Sequence, residues 1–332
     1  MKFSIIVPSH NAQDTIERCA LSLLRQNVAD KEILLIDDHS EDKTAEICQR
    51  MAGEYREVRF LTSARRGASA ARNVGLEYAR GDIIGFCDSD DTYETYTLEL
   101  VRNAFLSMNV EAVVGGVRRV KDLKAGFQTI RVCTLPSDRV CSFEDLMALI
   151  FTDDDAVMGS CWNKFFKRAM IESVRFNENL SHCEDMHFIF QILSRHQNST
   201  CAVIAKPFYN YTVKADYHSV TRPKDVSALF EKDGTLRYIS SCQAIERDCP
   251  LTDRIKERIR DRKVLFAITE LWNFRCFRGN AYEKQMTLVK SVFPAFLRSH
   301  SYHLSTKIKC MVKLALLRMF RIRATVLGQK LT

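Results

Sequence analysis

No apolar run in this chain approaches the roughly 20 residues that a membrane-crossing helix requires, so no transmembrane helix is expected. A secretory leader is equally hard to find. Met1-Lys2-Phe3-Ser4-Ile5-Ile6-Val7-Pro8 offers one lysine and a short apolar burst that Pro8 stops. A leader needs a longer apolar region and a small-residue cleavage site, so a cytoplasmic protein is the expectation. The 12 cysteines include no C-x-x-C pair, and most stand alone in apolar stretches, as Cys87 and Cys201 do. Reduced thiols acting as small hydrophobes are therefore a better reading than zinc ligands or a disulfide framework. Glycine-rich phosphate loops are missing as well. The first apolar run is not followed by G-x-G-x-x-G, and G-x-x-x-x-G-K-[ST] does not occur, which argues against a dinucleotide fold and a P-loop.

What is present is ordinary globular composition. The 332 residues are 46% hydrophobic and 27% charged, enough for one large domain with an elaboration or for two domains. The formal charge is +8. A mild basic excess fits nucleic acid, an anionic membrane or a phosphorylated substrate equally well.

The first part of the chain alternates strand and helix signals. Phe3 to Val7, Ile33 to Ile36, Val58 to Leu61 and Ile83 to Cys87 read as strands, with a fifth over Ala112 to Val117. Between them, Ile16, Cys19, Ala20, Leu23 and Leu24 recur at helical spacing, and Thr44 to Met51 and Ala68 to Ala79 read as helices. Such alternation predicts an α/β fold: a mostly parallel sheet with helices on both faces. Lys121 to Arg139 is polar, a loop or hairpin. Phe143 to Phe151 and Met186 to Leu193 read as helices, and from Ser227 onward the chain reads as helices rich in Arg and Lys.

Ligands of such sheets bind at the carboxyl ends of the strands. Pro8-Ser9-His10-Asn11, Asp37-Asp38 and Asp88-Ser89-Asp90-Asp91 sit there. Asp88 and Asp90, in D-x-D spacing, can hold a hard divalent cation such as Mn2+ or Mg2+ through oxygen. The plainer alternative is a solvated turn in which Asp91 caps the following helix. The run Asp153-Asp154-Asp155 shows that acidic loops need no metal.

These motifs, together with Gly67-Ala68-Ser69-Ala70-Ala71-Arg72-Asn73-Val74-Gly75, resemble glycosyltransferase family 2 in order and spacing. Residues 1 to about 120 carry most of the resemblance. Trp162-Asn163-Lys164 and Glu184-Asp185 extend it to about residue 220. The resemblance implies a GT-A-type, Rossmann-like nucleotide-binding sheet with a helical C-terminal extension. It divides the chain into a transferase domain over residues 1–220, with a nucleotide-sugar half (1–120) and an acceptor half (121–220), and a helical region over 221–332. It further implies a metal-dependent enzyme that transfers a sugar from a UDP-sugar, with inversion, to a glycan or lipid-linked acceptor in cell-surface polysaccharide biosynthesis.

Laid onto this chain, Asp38 would hydrogen-bond the uracil, and Pro8 and His10 would line the base pocket. Arg72 and Asn73 would lie near the nucleotide, the guanidinium meeting phosphate bidentately. Asp88, Ser89 and Asp90 would sit at the diphosphate, the two acids holding the metal. Adjacent helical residues point about 100° apart, so Glu184 and Asp185 are not expected to face the cleft together. The family's base stands at the second position, which selects Asp185, with Glu184 beside it. Trp162-Asn163-Lys164 would lie near the acceptor. Tyr217 to Arg222 resembles a segment that closes over the diphosphate, with His218 a further candidate ligand.

Near the C-terminus, Ile308, Val312, Ala315, Met319, Ile322 and Val326 form one apolar helical stripe. Lys307, Lys309, Lys313, Arg318, Arg321 and Arg323 flank it. Such a helix can lie on an anionic bilayer, placing the enzyme at the inner face of the cell membrane. It could instead dock on the protein's own core, an option that Leu314, Leu317 and Phe320 keep open. Two other readings compete: a nucleotidyltransferase, and a basic module that binds membrane or nucleic acid without catalysis. The first lacks the Gly- and Arg/Lys-rich loop after the first strand. The second gives no reason to gather Asp38, Asp88, Asp90 and Asp185, so nucleic acid is not an expected partner.

Overall fold

The computed structural model describes residues 1–123, 126–151, 157–180, 182–213, 236–273, 279–299 and 305–315. The chain divides into two compact units, Met1–Tyr217 and His218–Thr332.

The first unit begins with β1 (Phe3–Ser9), α1 (Ile16–Leu24), β2 (Lys31–Asp37), α2 (Thr44–Glu54), β3 (Val58–Thr62), α3 (Ala68–Tyr78), β4 (Ile83–Phe86), β5 (Thr92–Tyr93) and α4 (Thr97–Ser107). It continues with β6 (Ala112–Leu123), β7 (Gly126–Cys133), β8 (Arg139–Ser142), α5 (Phe143–Ile150), β9 (Lys164–Lys167), α6 (Glu184–Arg195) and β10 (Thr200–Val213). The sheet order is β3-β2-β1-β4-β9-β6-β10-β5, with β7 on β6 and β8 on β10.

β1 is buried at every position and pairs in parallel with β2 and β4. Its alternate residues Phe3, Ile5 and Val7 join α1 side chains Ile16, Cys19 and Leu23 in one core. On the opposite face, Gly75 of α3 lies directly over Ile6 and Ile36. That pattern is what a parallel strand covered on both faces needs. Pro8 has no N–H to give a ladder. It is tolerated in this central strand because the β4 pairing has ended at Ile6.

The expected fifth strand is the start of β6, which runs on into a hairpin with β7. Sequence reading missed β9, a four-residue strand inserted antiparallel between β4 and β6. It also missed β10, which lies parallel to β6. The aromatic trio Phe86, Phe176 and Phe188 then fixes α6 beside the end of β4. Phe176 and Phe188 stack at 4.0 Å, and Phe86 meets both edge-on at 5.5 and 5.8 Å.

In the second unit, α7 (Arg237–Asp248), α8 (Asp253–Asn273) and α9 (Gly279–Arg298) are followed by a helix over residues 305–315. Their core includes Ile239, Val264, Ile268, Met286, Val289 and Phe296. The last helix adds Cys310 and Leu314 to it. Among the described residues, no helix is long and apolar enough to cross a membrane.

Candidate active site

Two strand ends and one helix start converge here. β2 ends in Asp37, and Asp38 follows as a buried carboxylate whose two oxygens accept from the Gly67 N–H at 2.9 and 2.8 Å. Gly67 has φ +117, a conformation that a side chain would strain, and it immediately precedes α3. Asp38 thus fixes the entry to the helix that carries Arg72. Pro8 is buried in β1, and His10 stands exposed, its Nδ1 within 2.7 Å of the Asp38 carbonyl.

The turn after β4 is held from β10. The Tyr209 hydroxyl accepts the Asp88 N–H at 3.0 Å, and Asp91 accepts the Thr212 N–H at 2.7 Å. Asp91 is buried, and burial followed by the charges of Asp90 and Asp88 raises its carboxyl well above the ordinary range. It does not cap a helix as the sequence allowed, because β5 follows it and α4 starts only at Thr97. Ser89 and Asp90 are half-buried, and Arg18 donates to the Asp90 carbonyl at 3.0 Å.

The centre of the site is Arg72, only 5% exposed. Its Nη2 donates to Asp88 Oδ1 at 3.0 Å, and its Nη1 donates to Glu184 Oε1 at 3.0 Å. The same Nη1 lies 3.0 Å from Asp185 Oδ1, within ion-pair range but not aligned as a hydrogen bond. The guanidinium also sits 5.4 Å from the Phe176 ring centroid. Burial opposes its charge, but Asp185, Asp88 and Glu184 hold it well above its ordinary range.

Both terminal nitrogens of Arg72 meet carboxylates in this structure. One expectation is corrected: Glu184 and Asp185, not expected to face the cleft together, both reach this one cation despite their separation of about 100°. Asn73 turns to the segment before α6. Its side chain brackets the Phe176 backbone, donating to the carbonyl at 3.0 Å and accepting the N–H at 2.8 Å.

One guanidinium does not neutralise this many acids. Burial, then the charges of Asp185 and Asp90, push Asp88 up to about 6 against the pull of Arg72. Its side chain is 31% exposed, so water screens part of that cost. Burial and Asp185 raise Glu184 likewise. Asp88 and Asp90 are hard oxygen donors in surroundings of excess negative charge, a donor set that fits Mg2+ or Mn2+ completed by phosphate and water. Among the described residues, no cluster of three or more His, Cys, Asp or Glu side chains forms a self-sufficient metal site.

Asp185 is held on its other side by the backbone. Its Oδ2 accepts the Cys161 N–H at 3.1 Å. Sequence reading missed Cys161, Tyr209 and Thr212, for two of these contacts are made by backbone N–H groups, which leave no mark on residue type. Trp162 is a buried core residue, stacked at 4.3 Å on Tyr209. Asp153, Asp154 and Asp155 and the 217–222 loop with His218 lie outside the described residues.

The fold is a mixed α/β sheet with carboxylates gathered at its strand ends, and comparison with known proteins shows the family. The family model Glycosyl transferase family 2 matches residues 4–174, and the chain belongs to that family. A cholesterol galactosyltransferase of Borreliella burgdorferi is 27% identical over 197 residues, covering 58% of this chain and 55% of the relative. The chain thus spans only about half the length of the curated relatives it matches. In fold, it is similar to S. aureus TarS 1-349 in complex with UDP (TM-score 0.65, 18% identity, covering 100% of this chain and 93% of that one). It is also similar to a mannosyltransferase from Pyrobaculum calidifontis in complex with GDP-Man and Mn2+ (TM-score 0.56, 15% identity, 97% and 83% covered). The fold is GT-A.

Proposed function

We propose that the chain is an inverting, metal-dependent glycosyltransferase that moves a sugar from a UDP-sugar to a hydroxyl of a glycan or lipid-linked acceptor in cell-surface polysaccharide or glycolipid synthesis. One observation carries the reading: Arg72 gathers Asp88, at the strand end where a diphosphate would bind, and Asp185, at the start of α6, into a single ion cluster. Donor-side and acceptor-side carboxylates are therefore neighbours.

In the transfer, the acceptor oxygen attacks the anomeric carbon from the face opposite the diphosphate. The bond from that carbon to the β-phosphate oxygen breaks, and its electron pair leaves on UDP. The acceptor's proton passes to Asp185, the general base. Arg72 orients Asp185 and Glu184. Asp38, Pro8 and His10 receive the uracil. Asp88 and Asp90 would hold Mn2+ or Mg2+, which supplies positive charge for the departing diphosphate.

The complexes of the fold neighbours, with UDP in one and GDP-Man and Mn2+ in another, support a nucleotide-sugar donor. The cholesterol galactosyltransferase supports a lipid among the acceptor classes. The helix over 305–315 leaves Ile308 and Val312 exposed beside Lys309, which supports peripheral contact with an anionic membrane at its cytoplasmic face.

The test is a panel of UDP-glucose, UDP-galactose, UDP-N-acetylglucosamine and GDP-mannose, assayed for nucleotide release with and without Mn2+. Mn2+-dependent UDP release from one UDP-sugar is expected. Release of none, with no thermal shift by UDP and Mn2+, would remove the assignment.

A further inference from the structure

We infer that Lys164, a lysine with no exposed surface, is a positioning residue for the Asp185 carboxylate. The inference rests on the reading of Asp185 as the general base.

Lys164 opens β9, the strand wedged between β4 and β6, and is 0% exposed. A lone ammonium in that position is expensive unless its hydrogens are all taken. Here they are. Nζ donates to the carbonyls of Met158 at 2.5 Å and Ser160 at 2.8 Å and to Asn163 Oδ1 at 2.8 Å. Three acceptors match the three donors of an ammonium. Burial pulls the group down to about 7, and Cys161 and Asp185 partly restore it.

What the ammonium organises is the turn over residues 157–163. Asn163 locks that turn to the sheet, since its side chain donates to the Gly115 carbonyl at 2.8 Å and its carbonyl accepts the Gly115 N–H at 3.0 Å. The turn then meets the first turn of α6 at two points. Cys161 N–H donates to Asp185 Oδ2 at 3.1 Å. Gly159 packs so closely on Met186 that a Cβ there would stand 3.0 Å from its Cγ. Meanwhile the N-cap of α6, Cys183, is left-handed (φ 54) and gives the helix no side-chain cap. The start of this helix is thus oriented from the neighbouring turn, and Lys164 is the clamp on that turn. Arg72 holds one oxygen of Asp185 and the Lys164 turn holds the other.

The test is a double-mutant cycle on the full chain. UDP release into water from the best UDP-sugar of the panel is read by single turnover with excess enzyme, and UDP affinity by calorimetry. Lys164→Met keeps the apolar stem and removes the ammonium. Turnover should fall roughly 10- to 100-fold, as misplaced catalytic groups do, with UDP affinity within about 3-fold of wild type. In an Asp185→Asn background the same substitution should cost less than about 3-fold, because the group it positions is already disabled. Equal losses in both backgrounds would overturn the inference and leave Lys164 a stabilising residue only. A silent Asp185→Asn removes the base assignment instead, whatever Lys164 does, so the two failures are distinguishable. A readout without turnover is exchange of the Cys161 amide, which should speed at least about 10-fold in Lys164→Met as the turn opens. Unchanged protection overturns the inference. Should Lys164→Met fail to bind UDP, Lys164→Gln, which keeps two N–H donors, enters the cycle under the same criteria.

Discussion

The acid at the end of β2 and the acids at the start of α6 are held in opposite ways. Asp38 finds its partner in the Gly67 backbone within the same run of alternating strands and helices. Glu184 finds Arg72 across 112 residues of sequence, and Asp185 is divided between that arginine and the Cys161 N–H. The carboxylate of Asp38 is thus held within the first run of strands and helices. The acids at the start of α6 are held by contacts distant in sequence, and they share one buried cation. A perturbation of Arg72 should therefore travel further than one of Asp38.

Arg72→Met is expected to be the most damaging change. It strands Asp88, Glu184 and Asp185 beside one another, and removing one partner of a buried ion pair costs about 3–5 kcal/mol. Denaturant melts should show that loss, and nucleotide release should vanish. Arg72→Lys offers one ammonium where two guanidinium nitrogens served three acids, so it should recover part of the stability and little of the turnover. Wild-type stability in Arg72→Met would show that the acids are compensated elsewhere.

Asp185→Asn comes next. It keeps the shape but cannot take the acceptor's proton, so turnover should fall roughly 10² to 10⁴-fold with UDP affinity and melting temperature near wild type. Glu184→Gln should hurt less. The reverse ranking would exchange their roles, and parallel loss of UDP binding and turnover would make Asp185 structural.

These two acids also mark how far the sequence could be read. Strands β1 to β4 and helices α3 and α6 follow from period and turn residues, the β6–β7 hairpin was one of two readings for residues 121–139, and the D-x-D stands where a strand end was expected. Strand β9 was not legible, because its four residues Lys-Phe-Phe-Lys, the first three of them buried, lie in the middle of a sheet that local alternation describes as parallel. Without β9 and β10, nothing places Cys161, Tyr209 or Thr212 at the site. The carboxylate partners of Arg72 were not legible for a similar reason. Residue type told of a cation at a strand end, but only the packing of Phe86, Phe176 and Phe188 brings α6 close enough for its carboxylates to reach it.

A pH series sharpens the contrast more gently. Asp88, ordinarily near 3.8, is pushed up to about 6 in the folded chain. The folded state therefore holds this proton better than the unfolded chain does. Its contribution to stability is complete below about pH 4 and is lost as pH rises through about 6. A divalent cation needs the bare carboxylate, so Mn2+ should stabilise progressively more over the same interval. Melting temperatures from pH 4.5 to 7.5, with and without Mn2+, check this by difference against Asp88→Asn. An identical pH profile in that variant would mean another group titrates. Asp38→Ala gives a smaller effect still. It should weaken UDP binding by about 1–2 kcal/mol and lower stability by a similar amount, since the Gly67 N–H loses its acceptor. Calorimetry and melts together separate the two.

In the second unit, two faces of one helix can be set against each other. Over residues 305–315, Lys307, Cys310 and Leu314 point inward. Lys307 Nζ donates to the Leu297 carbonyl at 2.9 Å and to that of Ser299. Ile308 and Val312 remain 46% and 52% exposed on the other face. The docking that the sequence left open and the apolar stripe it proposed therefore coexist, on different residues. Met319, Ile322 and Val326 lie outside the described residues. Leu314→Ala removes core volume and should destabilise this unit by about 2–4 kcal/mol. Ile308→Ser with Val312→Ser touches no core, so the melting curve should not move. If that face meets an anionic bilayer, the pair should weaken sedimentation with phosphatidylglycerol vesicles by roughly 10- to 100-fold, as expected when two or three buried methylenes at about 0.8 kcal/mol each are lost. Nucleotide release in solution should be unchanged, because the altered side chains belong to a different unit from the carboxylates. Undiminished vesicle binding by the double variant would leave the stripe without a membrane role and move any lipid contact to another surface.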